Sequence, residues 1–284
     1  MLKRHCNIIF YFIATFLISS TVFQSEASAQ VVVAPVDVFV NPQNQFGTFH
    51  VINNSSQSRE VTVDFIFGYP QSNDQGELTM VYGDSLQASQ YSLASYMRGF
   101  PRNFVVDAGS RQTVRLTARL PQNKPEGMYW ARIRTSSVPE SEPISTQTSD
   151  NAVNAQISLR FVQVTKAFYK KGNPATSIRV NSVSAQQQDS TTTIQADMTR
   201  TGNSIFVGSV DITVQDGSGS NVIEENRTFE LYFNEVRNFT INTSDLNPGQ
   251  YTAKLKFQTT RPGTPKDFLP SMEPVTRNVT LSIR

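Results

Sequence analysis

The chain has 284 residues, enough for one large domain or two of ordinary size. Its 25 basic and 23 acidic residues nearly cancel, and no clustered Lys/Arg face of the kind that binds nucleic acid stands out. Ser, Thr, Gln, Asn and Val are abundant and helix-forming runs are scarce, which points to an all-β protein.

The first residues stand apart. Lys3 and Arg4 precede the apolar run "IIFYFIATFLISSTVF", and "QSEASAQ" follows with Ala27-Ser28-Ala29 as a small-residue cleavage site. Residues 1–29 are therefore expected to be a signal peptide, leaving an exported chain that starts at Gln30. Cleavage removes His5 and Cys6, so the mature chain has no cysteine and one histidine, His50. Disulfides, thiolate metal sites and Ser-His-Asp or Cys-His catalysis then have no parts. A lone histidine in an alternating strand reads as a surface or cross-strand residue. Losing Lys3, Arg4 and Glu26 leaves 23 basic and 22 acidic residues.

Alternating or β-branched runs then recur at short intervals. They are "VVVAPVDVFV" (31–40), "GTFHVIN" (47–53), "EVTVDFIFG" (60–68), "NFVVDAG" (103–109), "QTVRLTARL" (112–120) and "GMYWARIRT" (127–135). With a long strand at 155–169 they make the strand set of an immunoglobulin-like sandwich. A short helix is expected at "SLASYMRG" (92–99), ended by Gly99 and Pro101. Trp130 is expected in the first core.

"KKGNPA" (170–175) interrupts the pattern and reads as a linker. A second strand set follows, with Asp216-Gly217 as a hairpin signal. The expected organisation is a first sandwich over 30–169, a linker over 170–175 and a second sandwich over 176–284. A weak repeat supports it. Gly127-Met128-Tyr129 and Gly249-Gln250-Tyr251 each put Gly-x-Tyr just before a strand late in its domain. Sandwiches place a tyrosine corner there, with the hydroxyl bonded back to the turn backbone.

The stretch "AQISLRFVQVTKAFYK" (155–170) is unusual. Extended, it would span about 50 Å. Ile157, Leu159 and Phe161 alternate with polar residues, then Val162 and Val164 make the other face apolar, and Lys166 sits among hydrophobes. A core strand keeps one face inward throughout. Either the strand changes packing partners at a bulge or domain corner, or its first half offers hydrophobes to another protein while its second half packs at home. The preceding "SVPESEPISTQTSDNAVN" (137–154) is long and polar, as functional loops are. A strand behind such a loop suits addition to a partner's open sheet edge.

With those residues in hand, the chain resembles the PapD-like periplasmic chaperones of pilus subunits, in a divergent, archaic-type branch. The likeness is carried by "VVVAPVDVFV", "FHVINNSSQSREVTV", "FPRNFVVDAGSRQTVRL", "LPQNKPEGMYWARI" and above all "ISLRFVQVTKAFYK", with "TRTGNSIFVGSVDI" and "LNPGQYT" further on. The resemblance implies two immunoglobulin-like domains in an L shape. It implies that the last strand of the first domain completes an unfinished sandwich in a fimbrial subunit. Ile157, Leu159 and Phe161 fall at the donated positions, and Lys166 at a cleft lysine that holds the subunit's terminal carboxylate. The family pairs that lysine with an arginine in the first strand. Here the position holds Asp37, which would repel a carboxylate or pair with Lys166 and occupy it; Arg160, Lys170 or Arg200 could substitute for the arginine.

Other features carry less. Glu140, Glu142 and Asp150 read as a solvated loop rather than a cation site. No glycine-rich phosphate loop occurs, and no cofactor, metal, nucleic acid or small-molecule substrate is expected. The sequence thus describes a non-enzymatic, exported, periplasmic chaperone for pilus-type subunits, with an outer-membrane usher as a further partner and self-association through the donor strand as another possibility. The alternative is a structural or adhesive exported protein built from the same sandwiches without chaperone activity.

Overall fold

The computed structural model describes residues 31–140 and 159–284. The expected leader, Ile157 and most of the polar loop lie outside them. Strand runs in order are β1 (Val31–Ala34), β2 (Asp37–Val40), β3 (Phe46–Asn53), β4 (Arg59–Ile66), β5 (Gly68–Ser72) and β6 (Leu78–Tyr82). Helix α1 (Ser85–Tyr91) and a 3-10 turn at Ala94–Tyr96 follow, then β7 (Met97–Phe100), β8 (Asn103–Val106), β9 (Arg111–Ala118), β10 (Gly127–Pro139) and β11 (Phe161–Lys171). The rest comprises β12 (Thr176–Gln188), β13 (Thr191–Gly202), β14 (Phe206–Gln215), β15 (Asn221–Leu231), β16 (Asn234–Asn242), β17 (Gly249–Gln258) and β18 (Val275–Ile283).

These strands build two sandwiches. In the first, sheet β1-β3-β9-β7 faces sheet β2-β11-β10-β4-β8. The first of these orders is the A-B-E-D sheet of an immunoglobulin domain, and β4, β10 and β11 are its C, F and G strands. Alternation fixes the core: Phe49 and Val51, Val61 and Val63, Val114 and Leu116, Ala131 and Ile133 all point inward. The run 31–40 is two strands, because Pro35 lacks the N–H a ladder needs. β1 pairs with β3, and past Pro35 the chain crosses to pair β2 in parallel with β11.

In the second sandwich, sheet β12-β13-β16 faces sheet β15-β14-β17-β18 over a core that includes Phe206, Phe229, Phe239 and Phe257. Between β11 and β12 the chain bends at Gly172, whose φ of 69° favours a residue without Cβ. Both tyrosine corners form. The Tyr129 hydroxyl donates to the Pro125 carbonyl at 2.7 Å, and the Tyr251 hydroxyl to Asn247 at 3.0 Å.

A third apolar cluster lies where the sandwiches meet. It holds Tyr69, Met128, Trp130 and Phe168 from the first, and Ile205, Val207, Tyr232 and Leu269 from the second. Trp130 is fully buried, but here rather than in the first core. It faces away from inward-pointing Tyr129 and Ala131, stacks on Tyr91 and meets Tyr232 edge-on. The helix also differs from expectation. Asp84 caps the Gln87 amide and starts it earlier, and Met97–Phe100 pair with β9 as a strand. His50 hydrogen-bonds across the ladder to Thr113.

Candidate functional site

β11 decides what the first sandwich presents. Its register against β10 runs unbroken from Gly127↔Lys171 to Ser137↔Phe161, so the strand contains no bulge and its faces do not switch. Thr165, Ala167 and Tyr169 point into the first core throughout. The opposite face runs Val162, Val164, Lys166, Phe168. Phe168 is buried against the second sandwich, which is why that face also reads as apolar.

The upper half of β11 is uncovered. Leu159 is 62% exposed, Phe161 40%, Val162 49% and Val164 42%. The two valines were expected to pack at home, yet only from Thr165 onward does the strand do so. Phe161 carries the Arg59 guanidinium over its ring at 5.7 Å. Leu159 and Phe161 are thus both described and both exposed, while Ile157 is not among the described residues.

The backbone edge is open too. β2 pairs with β11 only from Lys166 to Tyr169, and the Lys166 amide donates to the Val36 carbonyl. Amides two residues apart point the same way, so Val162 and Val164 aim their backbone groups at that edge ahead of β2. No strand among the described residues pairs with the edge there. Nearby β1 belongs to the other sheet and touches it through its Val31 carbonyl, which accepts from the Gln163 side chain at 2.9 Å. The segment Phe161–Thr165 carries no charge to guard the edge.

The apolar surface continues sideways. Val164 borders a groove of about 740 Å³ whose other walls include Phe67 and Tyr82. Beyond it, Leu78, Met80 and Tyr82 stand exposed on one face of β6. The Tyr82 ring lies so close over Gly68 that any Cβ there would sit 2.6 Å from it. This stripe was not foreseen.

At its lower end the exposed face closes on charge. Lys166 Nζ lies 2.8 Å from Asp37 Oδ1, an ion contact outside hydrogen-bond geometry, and donates to both Glu230 carboxylate oxygens at 3.0 and 2.9 Å. Arg261 donates to Glu230 at 2.7 Å and also to Asp37. Burial by itself would raise the Glu230 carboxyl, but Lys166 and Arg261 together hold it below its ordinary value. Behind them Arg132 gives Nε to the Gly68 carbonyl at 3.0 Å and Nη2 to the Tyr232 hydroxyl at 3.2 Å. Asp37 does sit against Lys166, as its position suggested. Glu230 and Arg261 could not be foreseen, since they come from the other sandwich.

The named alternatives lie elsewhere. Lys170 donates to the Leu269 carbonyl at 3.2 Å. Arg200 rests over the Tyr91 and Phe233 rings. Arg160 lines the outer sheet face near Val162. Among the described residues no group of three or more His, Cys, Asp or Glu could hold a metal.

An open, uncharged G strand above an interdomain ion cluster is the feature to compare with known proteins. The chain is similar to several fimbrial chaperones of known structure. The YadV chaperone is 14% identical, with 89% of this chain and 100% of that one covered at a TM-score of 0.40. The CsuC–CsuE chaperone–tip adhesion subunit complex, from the archaic chaperone-usher Csu pili of Acinetobacter baumannii, matches at 11% identity, 88% and 98% coverage and a TM-score of 0.39. A PapD-like domain of human CEP192 matches at 12% identity over 50% of this chain and 84% of that one, with a TM-score of 0.32. No family model matches the sequence, and no curated protein matches it.

Proposed function

We propose that this chain is an exported, periplasmic chaperone for pilus-type subunits that are themselves incomplete β-sandwiches. It holds them by lending the free edge of β11. The observation that carries this reading is the combination, on one short segment, of a backbone edge that no described strand pairs with and exposed Leu159, Phe161, Val162 and Val164. A sheet edge of that kind invites another chain to add a strand. Main-chain hydrogen bonds would supply affinity, and alternate side chains would supply fit. Ile157, Leu159 and Phe161 form the donated row, and the two valines meet the client from the other face.

Each buried side chain of this size contributes about 1.5–3 kcal/mol before association costs. Lys166 marks where the lent edge ends, because β2 takes over the pairing there. No nucleotide is needed. Handover, through an outer-membrane usher or directly, is driven by a final partner strand that binds the client better. Residues 1–29 act as the export signal.

The test is co-expression with a pilin-type subunit lacking its own completing strand. A one-to-one complex is expected on gel filtration, and Phe161→Asp or Val164→Asp abolishes it. A complex that survives both changes contradicts the reading. Assembly of this chain with itself alone favours the structural or adhesive alternative.

A further inference from the structure

Lys166, Asp37, Glu230 and Arg261 alternate in sign around one crevice. Each cation touches both carboxylates, and each carboxylate touches both cations. Their side chains are only 11–20% exposed. The charges sum to zero, and β2, β11, β15 and the segment after β17 each contribute one. Two of these four pairings cross between the sandwiches, while the Lys166–Asp37 contact lies within the first and Arg261–Glu230 within the second. The crossing ion pairs of the cluster are Lys166–Glu230 and Arg261–Asp37. Arg132, the neighbouring cation on β10, is itself engaged by Gly68 and Tyr232.

We infer that these four side chains form a self-contained clamp between the sandwiches, with no counter-charge to offer a partner's carboxylate, so that clients are recognised along β11 without their chain terminus. This rests on the chaperone reading above. For a client carboxylate to enter, it must displace Asp37 or Glu230, and the displaced group stays buried without its cation. Removing one partner of such a pair is strongly unfavourable, because an uncompensated charge remains. Hence the subunit strand that pairs with β11 need not be the last of its chain. The clamp instead fixes the lower half of β11 against the second sandwich, so that the upper half is held at a constant position for pairing.

Two measurements separate this from a vacant lysine anchor. In the free protein, Lys166→Met and Glu230→Gln should each lower the melting temperature. The double variant should lose less than the sum, because the two groups share one bond. If Lys166→Met leaves the melting temperature unchanged or raises it, the clamp is wrong. Should Lys166→Met fail to fold, the shape-preserving Glu230→Gln and Asp37→Asn carry the same prediction. For recognition, the subunit of the co-expression test is made with its native C-terminus and with a short C-terminal extension. Equal affinity is expected. A loss of about tenfold or more on extension, the size expected for a missing charge-assisted contact, overturns the inference. If neither form binds, the chaperone reading fails, and the melting experiment still judges the clamp.

Discussion

β11 and β15 make an instructive pair. Each has eleven residues, each belongs to a different sandwich, and they meet through Lys166 and Glu230. β15 is the outer strand of its sheet, and its solvent-facing run carries Glu224, Glu225 and Arg227. Arg227 pairs with Glu225, and Asn226 bonds across to Asp211 at 2.6 Å. Charge of this kind discourages a stray strand from adding to the edge. The upper half of β11 is likewise exposed at Phe161, Val162 and Val164, and its Phe, Val, Gln and Val carry no charge. Two edges of one molecule, folded in the same solvent, are treated oppositely. The charged edge is guarded against an added strand, and the uncharged one is not.

The largest effect should come from cutting the junction between the two strands. Glu230→Ala leaves Lys166 and Arg261 facing a single carboxylate and should cost about 3 kcal/mol in urea unfolding. A loss no greater than that of a surface pair, under about 1 kcal/mol, would mean that the strands are not joined there. Next is the exposed face. Val162→Asp with Val164→Asp should weaken client binding by about a hundredfold or more, the worth of two buried valines. Free-protein stability should stay within about 0.5 kcal/mol, as for other surface changes. Collapse of the fold would instead place the valines in this molecule's own packing.

A smaller contrast concerns the two tyrosine corners. Tyr129→Phe should cost about 1 kcal/mol, since its hydroxyl bond is partly buried, and Tyr251→Phe should cost less because its hydroxyl bond is exposed. Equal losses would erase that distinction. The smallest effect near neutrality is that of pH. Glu230 has a folded value below its ordinary 4.5, so its stabilisation is complete above that pH and fades as pH falls through the folded value. Acid unfolding of Glu230→Gln should therefore be shallower than that of the parent chain. Identical acid profiles would show that Glu230 does not carry this dependence.

Much of the scaffold was legible before any coordinates, because period-two alternation and turn residues are local signals. The all-β class, the Asp216 hairpin and both Gly-x-Tyr corners follow from neighbours in sequence. The oddity of Lys166 was visible as a cation in an apolar run. Its partners were not, since Glu230 is 64 positions away and Arg261 is 224 positions from Asp37. The two apolar faces of β11 looked like a change of phase, whereas one regular strand lies between two sandwiches. Trp130 was misassigned for the same reason, since burial between domains and burial within one look alike in sequence. The stripe on β6 was missed because Leu78, Met80 and Tyr82 span only five residues beside a strand containing Pro70.

Hydrogen exchange at two amides tests the lent edge most directly. In the free monomer, the amides of Val162 and Val164 should exchange rapidly, while Gln163 and Thr165, turned toward β10, and Lys166, bonded to Val36, should be protected. Adding a subunit that lacks its completing strand should slow Val162 and Val164 and leave the other three unchanged. Protection of those two valines in the dilute free chain, or their continued rapid exchange within a purified complex, would contradict the proposal.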